Sequence, residues 1–246
     1  MKKIILLMFA FAATVLSSAR QMYVVSAGIA DYAYIHDLRY TENDATLIAD
    51  LFRTHTDNVT LVTGRNASRE NLLSTLRIVF SKAEKDDVVI FAFSGHGGKG
   101  GLCAYDTKDN KTLLKYSDIQ TVLRSCKSDS KILLIDACYS GGLRSSKEHS
   151  QSRMLTNQEG VMLFLSSRTN ETSQESVFVK HGYFMHFVNQ GLRGGADKDS
   201  DRVITAKELY NFVSDKVREA TRDKQHPVMW GKFNNTMKIL SWNAKK

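Results

Sequence analysis

Two uninterrupted apolar runs constrain this chain more than any other feature. Val88-Val-Ile-Phe-Ala-Phe93 and Ile132-Leu-Leu-Ile135 have no alternating polar positions. That pattern belongs to strands buried on both faces, as in a parallel sheet covered by helices. The first run ends in Ser94-Gly95-His96-Gly97-Gly98, and the second in Asp136-Ala137-Cys138-Tyr139-Ser140-Gly141-Gly142. Open α/β sheets place their ligands at the carboxyl ends of such strands. Both runs therefore deliver a reactive side chain, flanked by glycine, to the end of the sheet where chemistry is usually found.

Taken singly, each residue has an ordinary explanation. A free cysteine is commonly a small buried packing residue, and a loop histidine needs no role. Together they have more meaning. A thiol acts as a nucleophile once a base or an electropositive setting makes it a thiolate, and a departing amine needs a proton. Histidine serves both needs near neutral pH. If the two strands are neighbours, His96 and Cys138 face each other across one crevice.

Ser-Gly-His-Gly followed by Asp-Ala-Cys-x-Ser-Gly-Gly resembles the caspase-like cysteine peptidases, specifically their metacaspase-type bacterial members. The resemblance covers nearly all of the chain beyond its first residues. Caspases proper carry Gln-Ala-Cys with an upstream His; here Asp136 replaces that Gln, and Tyr139 stands where relatives usually have His. The resemblance implies a three-layer α/β/α sandwich around a mostly parallel sheet of about six strands. It also implies peptide hydrolysis through a thioester, with Cys138 as nucleophile and His96 handling protons. The backbone N–H groups of Gly97 and Cys138 would receive the oxyanion.

The same resemblance assigns a pocket. Relatives carry a Cys-x-Asn-Asp motif at the first helix start. Thr41-Glu42-Asn43-Asp44 matches it in the Asp but not in the Cys. Asp44 and Asp136, with Ser94 lining the pocket, would hold the substrate's P1 side chain. Two carboxylates suit a guanidinium or ammonium and repel an aspartate, so cleavage after Arg or Lys is expected. On the residues alone, Asp44 has a second reading. Thr41 and Asp44 fit a capping box opening a helix from Tyr40 to His55.

Met1-Lys2-Lys3, the apolar stretch Ile4–Leu16 and Ser17-Ser18-Ala19 read as a signal peptide over residues 1–19. The stretch is short for a membrane-spanning helix. Export to the periplasm or outside the cell is expected, with a single caspase-like domain over 20–246 and no lasting membrane insertion. The formal charge of +8 falls to +6 when Lys2 and Lys3 leave. The Lys and Arg residues are scattered without interleaved aromatics, which argues against a nucleic-acid groove. Besides Cys138, the chain has Cys103 and Cys126, expected as free thiols.

Residues 143–158 are rich in Ser, Lys, Arg and Gln and read as an exposed loop. Caspase-like enzymes often carry a cleavable linker there, and Arg144, Lys147 and Arg153 would suit an acidic pocket. Plain solvated loop composition explains the same residues. Asp197, Asp199, Asp201, Val203 (by its carbonyl) and Glu208 match ligand positions of an EF-hand loop, which makes Ca²⁺ a candidate cofactor. Arg202 stands where that loop wants Gly, and no EF-hand helix pair is expected around it, although helices are expected from Gly182 and over Thr205–Arg222. The alternative has Thr205 and Glu208 capping the last helix. Thr236–Leu240 is expected as an edge strand, and Trp230 and Trp242 as packing residues.

Two other functions compete. One is a caspase-like scaffold that binds peptides without cutting them. The other is a different hydrolase or nucleotide-binding α/β domain. The first strand is not followed by G-x-G-x-x-G, and Gly98-Lys-Gly-Gly101 lacks the Gly-Lys-Ser/Thr ending of a phosphate loop.

Overall fold

The computed structural model describes residues 20–138, 155–168, 171, 173–176 and 178–242. The leader expected over 1–19 lies outside them, as does the loop expected over 143–158 except for 155–158.

The two apolar runs form the centre of one sheet. In chain order its strands are β1 (Met22–Gly28), β2 (Val59–Thr63), β3 (Val88–Gly98), β6 (Ser130–Cys138), β7 (Val161–Leu165) and β11 (Val228–Lys232). Across the sheet they run β2-β1-β3-β6-β7-β11. All neighbours are parallel except β11, which closes one edge antiparallel to β7. Two short strands, β4 (Gly101–Leu102) and β5 (Leu114–Lys115), extend the end of β3. The sheet is thus the mostly parallel one expected.

Helices cover both faces, because alternate residues of each strand point to opposite sides and both sets are apolar. Phe91, Phe93, Leu133 and Ile135 pack with Leu72 and Leu76 of α2 (Arg69–Phe80) and with Ile119 and Leu123 of α3 (Tyr116–Ser125). On the opposite face Ile90, Leu134 and Phe164 meet three other helices. These are α1 (Thr41–Arg53), through Ile48 and Phe52, α4 (Tyr183–Gln190), through Phe184, and α5 (Ala206–Ala220), through Leu209 and Val213. Trp230 packs against the first core and Trp242 against the second. Cys103 and Cys126 are both free and buried.

Two expectations need correction. The edge strand is Val228–Lys232 rather than Thr236–Leu240; β12 (Lys238–Ser241) instead pairs with β10 (Val203–Thr205) in a separate small sheet. Val228 and Trp230 face one core while Met229 faces the other, so this segment can border both layers.

The capping box at Thr41 does not form. Tyr40 is the N-cap and its side chain does not cap the helix, while the Thr41 hydroxyl donates to the Ile29 carbonyl at 2.6 Å. The cause lies in β1. A Cβ on Gly28 would run into the Thr41 carbonyl oxygen and sit 2.7 Å from the Ala45 Cβ. Lacking one, Gly28 lets α1 settle onto the strand end, and Thr41 and Asp44 turn inward.

The helices expected before and after the acidic loop are both present. α4, prolonged by one wide turn over Gly191–Gly195, precedes it, and α5 follows.

Candidate active site

The register of the central strands brings the two motifs together. Ser94 pairs with Asp136, Gly95 with Ala137 and His96 with Cys138. Strands paired in a sheet lie about 4.8 Å apart, so His96 and Cys138 are direct backbone neighbours at the carboxyl edge. Gly97 follows His96 and pairs with Leu102 of β4.

A loop from β1 to α1, residues 29–40, folds over His96. It is held by Leu38 N–H on the Ala30 carbonyl at 2.8 Å and by Tyr32 N–H on the Asp37 carboxylate at 2.9 Å. The buried Tyr32 hydroxyl accepts the His96 N–H at 2.8 Å, and the two rings lie 5.1 Å apart. Burial pushes the Tyr32 phenol upward, so it stays protonated. The His36 ring meets that of His96 edge to face at 4.3 Å.

The His36 carbonyl oxygen lies 3.0 Å from His96 Nε2. A carbonyl can only accept, so Nε2 carries the proton and Nδ1 is left as the basic nitrogen of the neutral ring. Partial burial lowers the His96 pKa below the ordinary histidine value, against the carbonyl contact, which favours the charged ring. His96 is therefore a neutral, oriented base at neutral pH.

The second cluster is acidic. Asp44 is 1 % exposed. Its Oδ2 accepts the Ser94 hydroxyl at 2.9 Å, while Oδ1 accepts the Gly182 N–H at 3.1 Å and is paired with His181 Nδ1 at 3.0 Å. Burial raises the Asp44 pKa; the bonds from His181, Ser94 and Gly182 oppose that by favouring the ionised form. Asp136 is likewise buried. A Cβ on Gly182 would sit 2.6 Å from Asp136 Oδ2 and 3.2 Å from Asp44 Oδ2. The Gly182 backbone thus packs directly against both carboxylates, an approach that a side chain at 182 would block. Gly182 has φ −65° and ψ 138°, so its backbone angles do not demand glycine; the close approach to Asp136 and Asp44 does.

His181 and Gly182 form β9, which pairs with β8 (Glu175–Ser176) in a hairpin whose tip bears the almost fully exposed Phe178. Behind the hairpin, Gln225 accepts the Gln174 N–H at 2.8 Å and donates to the Ser166 carbonyl at 2.9 Å. Glu171 holds the His226 ring at 2.8 Å and its backbone N–H at 2.7 Å.

The acidic loop lies away from this edge, at the start of α5. Carboxylates of Asp197, Asp199 and Glu208 come within 4.8 Å of one another. Asp197 accepts the N–H groups of Asp201 and Arg202, and Asp201 accepts that of Val203 at 2.7 Å. Thr205 and Glu208 form the full reciprocal capping box. Arg202, in the place where an EF-hand has Gly, adopts the left-handed φ of 65°.

Comparison with known proteins places this arrangement. A family model described as the caspase domain matches residues 24–237. The chain belongs to the caspase domain family. Members of this family are cysteine peptidases. Among curated proteins compared by sequence, none matches. Caspase-1 from Spodoptera frugiperda shares the caspase fold, with a TM-score of 0.63 and 16 % identity over 89 % of each chain. A Geobacter sulfurreducens protein of known structure gives a TM-score of 0.67 at 13 % identity, covering 87 % of this chain and 94 % of its own. No helix among the described residues is long and apolar enough to cross a membrane.

Within this caspase fold, Tyr32, His36, His181 and Gly182 escaped the sequence reading. None lies in a local pattern that announces a site. Only the His-Gly step before an apolar helix hinted at 181–182, and it reads equally well as a helix start.

Proposed function

We propose that this protein is a cysteine endopeptidase that cleaves after Arg or Lys. The observation that supports it most directly is the pairing of His96 with Cys138 at the ends of adjacent parallel strands. His96 takes the Cys138 thiol proton, and the thiolate attacks the carbonyl carbon of the scissile bond. The N–H groups of Gly97 and Cys138 receive the negative oxygen. As the C–N bond breaks, the imidazolium returns its proton to the leaving amine. A water molecule, deprotonated by His96, then opens the thioester and frees the new carboxylate and the thiol.

The preference for a basic P1 residue rests on Asp44 and Asp136, two buried carboxylates brought together at Gly182 beside Ser94. The proposal extends to export by way of residues 1–19 and to self-cleavage at Arg144, Lys147 or Arg153. Fluorogenic peptides with Arg, Lys or Asp at P1, offered to the native chain and to Cys138→Ala, test the chemistry and the preference together. Turnover of the Arg and Lys peptides by the native chain alone is expected. Equal turnover by the variant would refute the nucleophile, and a preference for Asp would refute the pocket. Incubating the two forms side by side tests processing: a nick within 143–158 is expected only in the active form.

A further inference from the structure

Hydrolysis by His96 and Cys138 gives a bound peptide a direction across the sheet. The leaving amine takes its proton from His96, so it lies on the β3 side of Cys138, and the sheet continues from β3 to β1. The residues that follow the cleaved bond therefore run past His96 toward the end of β1 and loop 29–40.

Two segments border this path, and both are bonded to His96. Loop 29–40 reaches it through the Tyr32 hydroxyl and the His36 carbonyl. The stretch after β4 reaches it through the Cys103 N–H, which donates to the His96 carbonyl at 2.9 Å. The segments are also joined to each other, the Ala33 N–H donating to the Tyr105 carbonyl at 3.0 Å. Just beyond that joint Tyr34 is 58 % exposed, and the Lys108 ammonium lies over its ring, 4.2 Å from the centroid. A turn fixes the Lys108 backbone, its N–H donating to the Thr112 hydroxyl at 2.8 Å.

An ammonium over an aromatic face is held by the ring's quadrupole, with its outer side still open to an anion. No carboxylate among the described residues lies within ion-pair distance of Lys108. The acids close to it in the two segments already accept backbone N–H groups: Asp37 that of Tyr32, Asp106 that of Arg69, and Asp109 those of Lys111 and Thr112.

We propose that Tyr34 and Lys108 form a subsite for an acidic side chain on the second residue after the cleaved bond. The proposal rests on the reading of His96 and Cys138 as a peptidase dyad and extends its selectivity beyond P1. The spacing fits. Tyr34 is two residues from His36, whose ring lies 4.3 Å from that of His96, and two extended residues span about 7 Å. A peptide running on from the dyad covers the same span with its second residue. The charges fit as well, since Asp44 and Asp136 serve the residue before the bond and Lys108 the second residue after it. A substrate basic at one position and acidic at the other is matched at both.

Internally quenched peptides with Arg before the bond, and Glu, Gln or Lys as the second residue after it, test the subsite on the full chain. An Arg-aminocoumarin peptide, which has no amino acid beyond the bond, supplies the reference rate for each protein and shows that each variant is folded. The native chain is expected to favour Glu over Gln roughly three- to fivefold in kcat/KM, the scale of one exposed ion pair, with Lys below both. Added salt should shrink the difference. Lys108→Gln should level the three peptides, and Lys108→Glu should favour Lys. Tyr34→Ala should weaken the preference for Glu, because the ammonium loses the ring that places it.

If the native chain cuts the three peptides equally, or if Lys108→Glu keeps the native order, the subsite is refuted and cleavage after Arg stands. If neither the quenched peptides nor the coumarin peptide is cut, the peptidase reading is refuted and the subsite falls with it.

Discussion

At the scale of single residues, chemistry depends on which groups burial leaves charged. His96 is held below the ordinary histidine pKa of about 6.5, chiefly by desolvation. A depressed pKa means that the neutral, basic ring persists to lower pH and is lost only as the pH falls through that depressed value. The acid limb of kcat/KM is therefore expected below about pH 6.5; a limb well above it would show a different base. Gly182 makes a second prediction. Its backbone angles suit any residue, but an added Cβ would run into Asp136 and press on Asp44. Gly182→Ala should raise KM for an Arg peptide roughly tenfold or more, about 1.4 kcal/mol. Its melting temperature should fall as well, because the added methyl would crowd the buried Asp136 carboxylate.

Residues also mark the limits of the sequence. His96 and Cys138 could be singled out because each ends an apolar run, and strand register does the rest. Asp44 was ambiguous, since a helix start and a pocket use the same residue type. Gly28 resolves the ambiguity by letting α1 approach, a contact that no local spacing encodes. His36 acts through its backbone carbonyl, which carries no sequence signature at all.

At the scale of elements, a strand end without a side chain places the site, and a properly capped helix contributes stability away from it. Gly28→Ala should push α1 away from β1 and carry Asp44 with it. Loss of stability and loss of P1 affinity are expected together, measured as a lower denaturant midpoint and a higher KM. Overpacking of this kind typically costs about 1–3 kcal/mol. The capping box at Thr205 lies at the far end of α5's contact with the sheet and touches no catalytic group. Thr205→Ala should cost about 1 kcal/mol, seen as a shifted midpoint with an unchanged slope. Elements with continuous apolar character were legible in the sequence. The edge strand was not, because Val228–Lys232 and Lys238–Ser241 have similar patterns and only the packing of Val228, Met229 and Trp230 chooses between them.

For the molecule as a whole, the sheet separates two cores, and each side of the site is tied to one of them. Loop 29–40, which orients His96, packs through Tyr32 and Ile35 on the core of α2 and α3. Helix α1, which carries Asp44, and the start of α4 pack on the other through Ile48, Phe52 and Phe184. Phe164 links β7 to both α4 and α5, its ring lying 4.8 Å from Phe184 and 5.8 Å from Tyr210. Phe164→Ala should remove about 3–5 kcal/mol, a large share of what a domain of this size possesses. Equilibrium unfolding would read it as an early, cooperative transition.

The parallel pairing of β3 with β6 has one more consequence. Parallel neighbours cannot be joined by a tight turn, so the imidazole and the sulfur arrive from distant stretches of chain, through a crossover that includes all of α3. Contacts of such long range are slow to assemble. Until they do, the nascent polypeptide holds an ordinary thiol and an ordinary histidine with nothing to join them. If His96 and Cys138 act together as proposed, cutting capacity switches on only with the finished molecule, a safeguard against premature digestion that needs no inhibitor.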